Sequence, residues 1–199
     1  MKTFVRGALV TVLLASMAFG STVLRFNNWQ LTKRADVILH GKCTKATPRD
    51  GKNGMVVTDY EFEVIELIKG GDATSPKTFT FTALGGKLED HGTTISGSPT
   101  YTVGEESILF LDSVHAKTGC RTAIGLAQGK FAVKTEEGTS KKHLVRDLGG
   151  LRLVDQNGRL VGIQAADGPK LYLEVFMKEI KGYLQGTKPE KSDNPGEKK

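Results

Sequence analysis

The sequence predicts a mainly β protein built as a small closed or partly open β-barrel, with a short N-terminal helix and an amphipathic C-terminal helix. Apolar and polar residues alternate along residues 55–68 and again along 77–84. The run "SILFLD" suits a buried strand, and residues 167–186 change to a helical spacing of three to four. Five or so strands of unequal length, one of them very long, fit a small barrel better than a large sandwich.

The first 20 residues have the three-part form of a secretory signal peptide. Lys2 and Arg6 flank a short basic start, and the apolar run 8–14 is too short to span a bilayer. Ala18 and Gly20 supply small side chains for cleavage after Gly20, with a cut after Ala18 as the second choice. We therefore expect a secreted or periplasmic protein with no stable membrane anchor after cleavage.

At the start of the mature chain the spacing of apolar residues is first that of a helix and then that of a strand. Asn27 or Asn28 is placed to cap a short helix that carries Trp29 and Leu31. Alternation from Val37 onward then predicts a strand, and "TPRDGKNG" is typical of a turn-rich loop.

The block from Met55 to Ile68 is the strongest strand pattern in the chain. Its even-numbered residues from Val56 to Val64 share one face, and the acids Asp59, Glu61 and Glu63 share the other. A helix would spread these acids around its surface, so we predict a long strand with one solvated face. "KTFTFTAL" repeats the period of two in the next strand.

The remaining elements complete one domain. "GKFAVKTEEG" predicts another strand, and Asn157-Gly158 suits a type I′ hairpin turn. In the C-terminal helix, Asp167 is the expected N-cap and Gly186 the expected stop. We therefore predict a signal peptide over 1–20, a single domain over 21–186 and a disordered polar tail over 187–199.

Charge and cysteine content narrow the function classes. Removal of the signal peptide takes two of the 28 basic residues, which leaves 26 against 22 acids and a formal charge of +4. No basic run is interleaved with aromatic residues, so we expect no nucleic-acid partner. In an exported chain a Cys43–Cys120 disulfide is the first expectation, worth about 3–5 kcal/mol, with two buried free thiols as the alternative. Neither cysteines nor histidines have metal-ligand spacing, so no metal site and no cofactor is expected.

The candidate site is the stretch "GGKLEDHG". Its Gly85-Gly86 pair lacks the frame of a nucleotide-binding loop, although a backbone anion nest stays open. Asp90 could orient His91 as a general base beside Glu89, but no nucleophile motif accompanies them. We interpret the stretch as a long connection between strands that offers a binding surface rather than a reaction centre.

Three short blocks resemble a known module in order and approximate spacing. They are "ADVI" at 35–38, "YEFEVIELIKG" at 60–70 and "VGEESILFL" at 103–111. Together they resemble the netrin-like module of tissue inhibitors of metalloproteinases, and they are also similar to an uncharacterised family of exported bacterial proteins. The resemblance implies an OB-type β-barrel. Those inhibitors chelate the protease zinc through an N-terminal cysteine, whereas Ser21 is the expected mature terminus here, so that route does not carry over.

Our leading hypothesis is an exported, non-enzymatic OB-like protein that binds an envelope or extracellular protein or polysaccharide through its barrel loops. The glycine-rich loop is the expected contact surface. One alternative is a secreted hydrolase that uses Glu89, Asp90 or His91. Another is a protease-inhibitor-like protein that acts through a surface other than its N-terminus.

Overall fold

The computed structural model describes residues 20–70, 77–161 and 170–189. Within them the chain is mainly β with two helices, as the sequence predicts. Nearly all of the expected signal peptide and most of the expected polar tail lie outside the described residues. The expected helix cap Asp167 also lies outside them.

Helix α1 spans Asn28–Arg34 and helix α2 spans Leu173–Leu184. The longer strands are β2 (Val37–Asp50), β3 (Val56–Lys69), β4 (Thr78–Leu84), β7 (Glu106–Leu111) and β8 (Lys130–Thr135). The shorter strands are β1 (Ser21–Leu24), β5 (Gly86–Lys87), β6 (Gly92–Thr93), β9 (Lys142–Val145), β10 (Leu151–Val154) and β11 (Leu171–Tyr172).

Seven strands form one antiparallel sheet in the order β11-β9-β8-β7-β2-β3-β4. The strands β1 and β10 form a separate parallel ribbon, and β5 and β6 form a small hairpin. Among the described residues no ladder joins the two edge strands of the large sheet, β11 and β4.

Strand β2 is longer than the sequence predicts, because it runs through "TPRD" to Asp50 instead of ending at a loop. Pro48 lies opposite Thr58 of β3 at a non-hydrogen-bonded position of the ladder. The backbone N and C=O of Pro48 therefore point away from β3. The N–H that proline lacks is therefore not needed for the β2–β3 ladder. The loop is therefore shorter than predicted and consists of the turn Gly51–Met55, in which Gly51 N–H donates to the Met55 carbonyl.

One side of the large sheet, here called the helix face, is covered by α1 and α2. Its core is fully buried and joins Leu31 of α1 and Phe176 of α2 to Ile108, Phe110 and Phe131 of the sheet. The Phe131 and Phe176 ring centroids lie 4.7 Å apart. The predicted amphipathic spacing of α2 is thus confirmed.

The opposite side, here called the aromatic face, is covered by irregular chain. Alternate residues of β7 belong to the two faces, and Leu109 packs here with Phe62 and Phe81. Tyr101 inserts its ring among them, with its centroid 5.4 Å from that of Phe81 and 4.8 Å from that of Tyr60. Tyr101 is the last residue of the segment 85–101, which we call the covering segment and which runs from β4 without forming a helix.

Helix α1 begins as predicted, because the Asn27 side chain accepts from Gln30 N–H and the Gln30 side chain accepts from Asn27 N–H. Helix α2 begins later than predicted. Leu171 and Tyr172 first pair with β9, and the helix follows with Tyr172 as its N-cap. Gly186, at φ 105°, lies just beyond its end.

The hairpin at residues 155–159 forms, but its type I′ assignment is wrong. Gly158 N–H donates to the Asp155 carbonyl, so Gln156 and Asn157 are the central residues of the turn. Only Gly158 of these has positive φ, and Asn157 N–H donates to the Asp155 carboxylate. The Asp155 carboxylate thus stabilises the turn. Asn157 does not adopt the left-handed conformation that a type I′ turn requires.

Neither described helix is long and apolar enough to cross a bilayer.

Candidate functional site

The two glycines of the predicted site fasten the covering segment to β3. The Thr58 hydroxyl donates to the Gly85 carbonyl at 2.7 Å, and Val56 N–H donates to Thr93 Oγ1 at 2.8 Å. Gly86 has φ 150°, and a Cβ there would lie 2.5 Å from Thr58 Oγ1. These glycines permit close packing and unusual backbone geometry, which is a structural role.

The tip of this stretch is exposed and holds the expected acid–histidine group. His91 Nδ1 lies 2.7 Å from Asp90 Oδ1, and His91 Nε2 lies 2.9 Å from Asp50 Oδ1. The carboxylates of Asp90 and then Asp50 raise the pKa of His91 above its ordinary value. Glu89 is exposed on the same tip.

Asp50 is the member of this group that sequence reasoning missed. It is 41 positions from His91 and reaches it only because β2 continues through Pro48. A general base needs a free ring nitrogen facing its substrate. Both His91 nitrogens instead contact carboxylates, an arrangement that favours a bound imidazolium over a proton acceptor.

A larger feature lies along β4. A cleft of about 480 Å³ opens between the β2-β3-β4 end of the sheet and residues 112–122, here called the 112–122 hairpin. Its volume is within the range of small-ligand sites, roughly 300–1,000 Å³. The lining combines hydroxyl, aromatic, basic and acidic side chains: Lys45, Thr47, Asp59, Tyr60, Glu61, Thr80, Phe81, Thr82, Val114 and Arg121, with Gly119.

Arg121 ties the hairpin to the sheet. Arg121 N–H donates to the Thr82 carbonyl at 2.8 Å. Its guanidinium bonds the Asp36 carboxylate at 3.0 Å and the Asp112 carbonyl at 2.7 Å. Val114, near the other end of the hairpin, is 51% exposed on the cleft wall. The cleft is therefore open at the edge of β4.

Charges in the cleft are largely paired. Asp59 accepts from Arg49 Nε at 2.5 Å and from the Thr82 hydroxyl at 2.6 Å. The Arg49 contact holds the pKa of Asp59 below its ordinary value. Lys45 is exposed with no carboxylate within ion-pair distance in the described part of the chain, although Glu61 stands opposite it in the ladder. The lining thus has no large excess of either sign.

The expected Cys43–Cys120 disulfide is absent, and both residues are buried free thiols. Each sulfur lies against a nearby backbone carbonyl: Cys43 Sγ is 3.6 Å from Lys45 O, and Cys120 Sγ is 3.7 Å from Thr118 O. Cys43 packs in the aromatic face while Cys120 belongs to the 112–122 hairpin. Burial raises the pKa of the Cys43 thiol, which lowers its reactivity.

A second histidine–carboxylate pair lies at the margin of the helix face. His40 Nε2 is 2.8 Å from Glu106 Oε1, and Lys142 Nζ is 2.7 Å from Glu106 Oε2. Burial raises the pKa of Glu106, but the Lys142 and His40 contacts outweigh it and the net shift is downward. His40 is buried, so this group has the character of an internal ion pair rather than an accessible site.

In the described ranges, no group of three or more His, Cys, Asp and Glu side chains is arranged to hold a metal ion. Comparison of the chain with protein-family models, curated proteins and solved structures finds no match.

Proposed function

We propose that this chain is an exported, non-enzymatic binding protein whose contact surface is the cleft beside β4. The cleft is the main observation behind this proposal, since an open depression beside the edge strand is lined by aromatic, hydroxyl and charged residues. Its ligand is an envelope or extracellular macromolecule, either a protein or a polysaccharide. Export is supported by the signal-peptide pattern of residues 1–20.

We propose that the fold is a partly open OB-type barrel. In support, Arg121 N–H, on the hairpin that follows the central strand β7, donates to the carbonyl of Thr82 on the outer edge of β4. OB barrels commonly bind ligands on a sheet face flanked by loops. The cleft occupies the corresponding place, between an edge strand and a loop hairpin.

One observation favours binding over the hydrolase alternative. A general base at His91 needs a free ring nitrogen, and both ring nitrogens of His91 contact carboxylates.

The test uses two valines of similar exposure, one in the cleft and one outside it. Val114 is 51% exposed and Val103 is 57% exposed. Purified wild-type protein, Val114→Glu and Val103→Glu are each used to capture partners from envelope and extracellular fractions and from a polysaccharide array. We expect at least one partner that wild type and Val103→Glu retain and Val114→Glu loses.

Identical partner sets for the two variants would contradict the cleft assignment. Glu89→Ala in the same assay tests the exposed tip as an additional contact surface. We expect it to weaken capture less than Val114→Glu does, because Glu89 does not line the cleft.

A further inference from the structure

The register of β3 and β4 shows which backbone groups of β4 point away from the sheet. Val64 N–H donates to the Lys77 carbonyl, and Gly85 N–H donates to the Val56 carbonyl. Hydrogen-bonded pairs alternate along an antiparallel ladder, so Phe79, Phe81 and Ala83 exchange hydrogen bonds with β3. The backbone groups of the three threonines between and before them, Thr78, Thr80 and Thr82, point outward.

The outward groups are largely unpaired. The Thr82 carbonyl accepts from Arg121 N–H. For Thr78 and Thr80, the part of the chain that the structure describes provides no backbone partner on this side. The side chains of Thr78 and Thr80 are exposed, so solvent reaches this edge.

The edge also lacks the features that usually protect an edge strand. β4 reads "TFTFTAL", with no proline and no charge, and its ladder with β3 has no bulge. The opposite edge strand, β11, has only two residues and leads directly into α2. A seven-residue uncharged edge beside a cleft is therefore well suited to accept another strand.

We propose that the β4 edge binds an extended polypeptide strand of a partner protein, which adds to the sheet at Thr78–Thr82 and places side chains in the cleft. This inference rests on the proposed binding function and identifies the class of ligand. The strand accepts hydrogen bonds from the outward N–H groups of Thr78 and Thr80 and donates to their carbonyls, while Arg121 keeps the outward side of Thr82. An extended peptide matches such an edge because its own N–H and C=O groups repeat with the same spacing as those of β4.

The cleft indicates what the added strand carries. Arg121 and Asp59 already have ion-pair partners, and Lys45 and Glu61 stand opposite each other. A charged side chain would therefore gain little net attraction there. The half-buried Tyr60 and the exposed Val114 instead favour an uncharged, apolar side chain at the position that enters the cleft.

The probe is a phage-displayed library of linear decapeptides, selected on the full mature protein, with the best peptide then synthesised. Thr80→Pro removes an outward N–H and puts a ring on the edge, a change that edge strands tolerate. Thr80→Val is the matched control, because it changes the side chain and keeps the backbone donor. We expect peptide affinity to fall at least about tenfold in Thr80→Pro and to change less than about twofold in Thr80→Val.

A second measurement uses only wild-type protein and therefore tests the inference even if Thr80→Pro folds poorly. Single N-methylation along the peptide, tested on wild-type protein, should weaken binding at every second position, because only alternate N–H groups of an added strand face β4. Uniform sensitivity along the peptide, or equal affinity for Thr80→Pro and wild type, would overturn the inference.

Two further outcomes also overturn it while leaving the broader proposal intact. One is a library that yields no peptide binder while Val114→Glu still loses a polysaccharide partner, so that the cleft binds another class of ligand. The other is a stable dimer in sedimentation experiments that Thr80→Pro dissociates, so that a second copy of the chain occupies the edge.

Discussion

The two faces of the large sheet are covered in different ways. On the helix face, α1 and α2 bury a continuous core in which Leu31, Phe110 and Phe176 are inaccessible to solvent. On the aromatic face, the covering segment inserts the single ring of Tyr101 and leaves Tyr60 partly exposed beside the β4 cleft. The first arrangement is typical of a structural core, and the second leaves an accessible edge where a ligand can bind.

Substitution within the helix face should have the largest effect on stability. Phe176 is fully buried against Phe110 and Phe131. We expect Phe176→Ala to lower the free energy of unfolding by about 3–5 kcal/mol, because it removes buried surface and leaves a cavity. Val175→Ala on the exposed side of α2 is the control, with a change within about 0.5 kcal/mol. Denaturant unfolding measures both, and similar losses for the two variants would contradict the assignment of the buried face.

Tyr101 provides the matching test on the aromatic face. We expect Tyr101→Ala to cost about 2–4 kcal/mol, less than Phe176→Ala, because irregular chain can relax into the space more easily than a helix. Tyr101→Phe should change stability by less than about 1 kcal/mol. Amide hydrogen exchange should accelerate across residues 85–101 while α2 stays protected. Loss of protection in both regions would show that the two faces unfold as one unit.

Glu106 tests the ion pairs at the margin of the helix face. Glu106→Gln should cost about 1–2 kcal/mol at neutral pH, since it weakens charged hydrogen bonds with His40 and Lys142 that solvent partly screens. The pKa of Glu106 is lowered on folding. Its contribution is therefore complete above the unfolded pKa, about 4.3, and disappears as pH falls through the lower folded value.

The measurement is the difference in unfolding free energy between wild type and Glu106→Gln from pH 7 down to acid. The difference should shrink as Glu106 becomes protonated. Glu63→Gln, at an exposed position of β3, is the matched control for the loss of one carboxylate. A difference that stays constant with pH would contradict the role given to this carboxylate.

The smallest effect is expected at the exposed tip of the covering segment. The pKa of His91 is raised chiefly by Asp90 and then by Asp50. Any stabilisation from this shift is complete below the unfolded pKa and is lost as pH rises through the higher folded value. An NMR titration should show the pKa of His91 falling in Asp90→Asn, and falling less in Asp50→Asn, with no measurable change in the denaturation midpoint. An unchanged His91 pKa in both variants would contradict the two-carboxylate geometry.

The helix face was the more predictable of the two from sequence. Asn27 capping α1, and the spacing of Phe176 and Ile180 in α2, follow from local rules that depend on a few neighbouring residues. The alternation in β3 predicted the burial of Val56 and Phe62, but Val57 on its other face is buried as well. These patterns are readable because each element is regular.

The candidate site was less predictable because it depends on register. Pro48 indicated a loop, yet it occupies a position where β2 needs no N–H toward β3. That extension brings Asp50 to His91 across 41 positions, which no local motif records. The cleft arises in the same way, from the approach of the 112–122 hairpin to β4 at a single hydrogen bond between Arg121 and Thr82.

The most direct test of an open, binding-competent edge is residue-resolved amide hydrogen exchange along β4 in the free protein. The ladder with β3 protects Phe79, Phe81 and Ala83, whereas the N–H groups of Thr78 and Thr80 point outward without a partner in the described residues. We predict slow exchange at the first set and fast exchange at the two threonines. Equal protection at all five positions would mean that the edge is already covered, and would contradict the account.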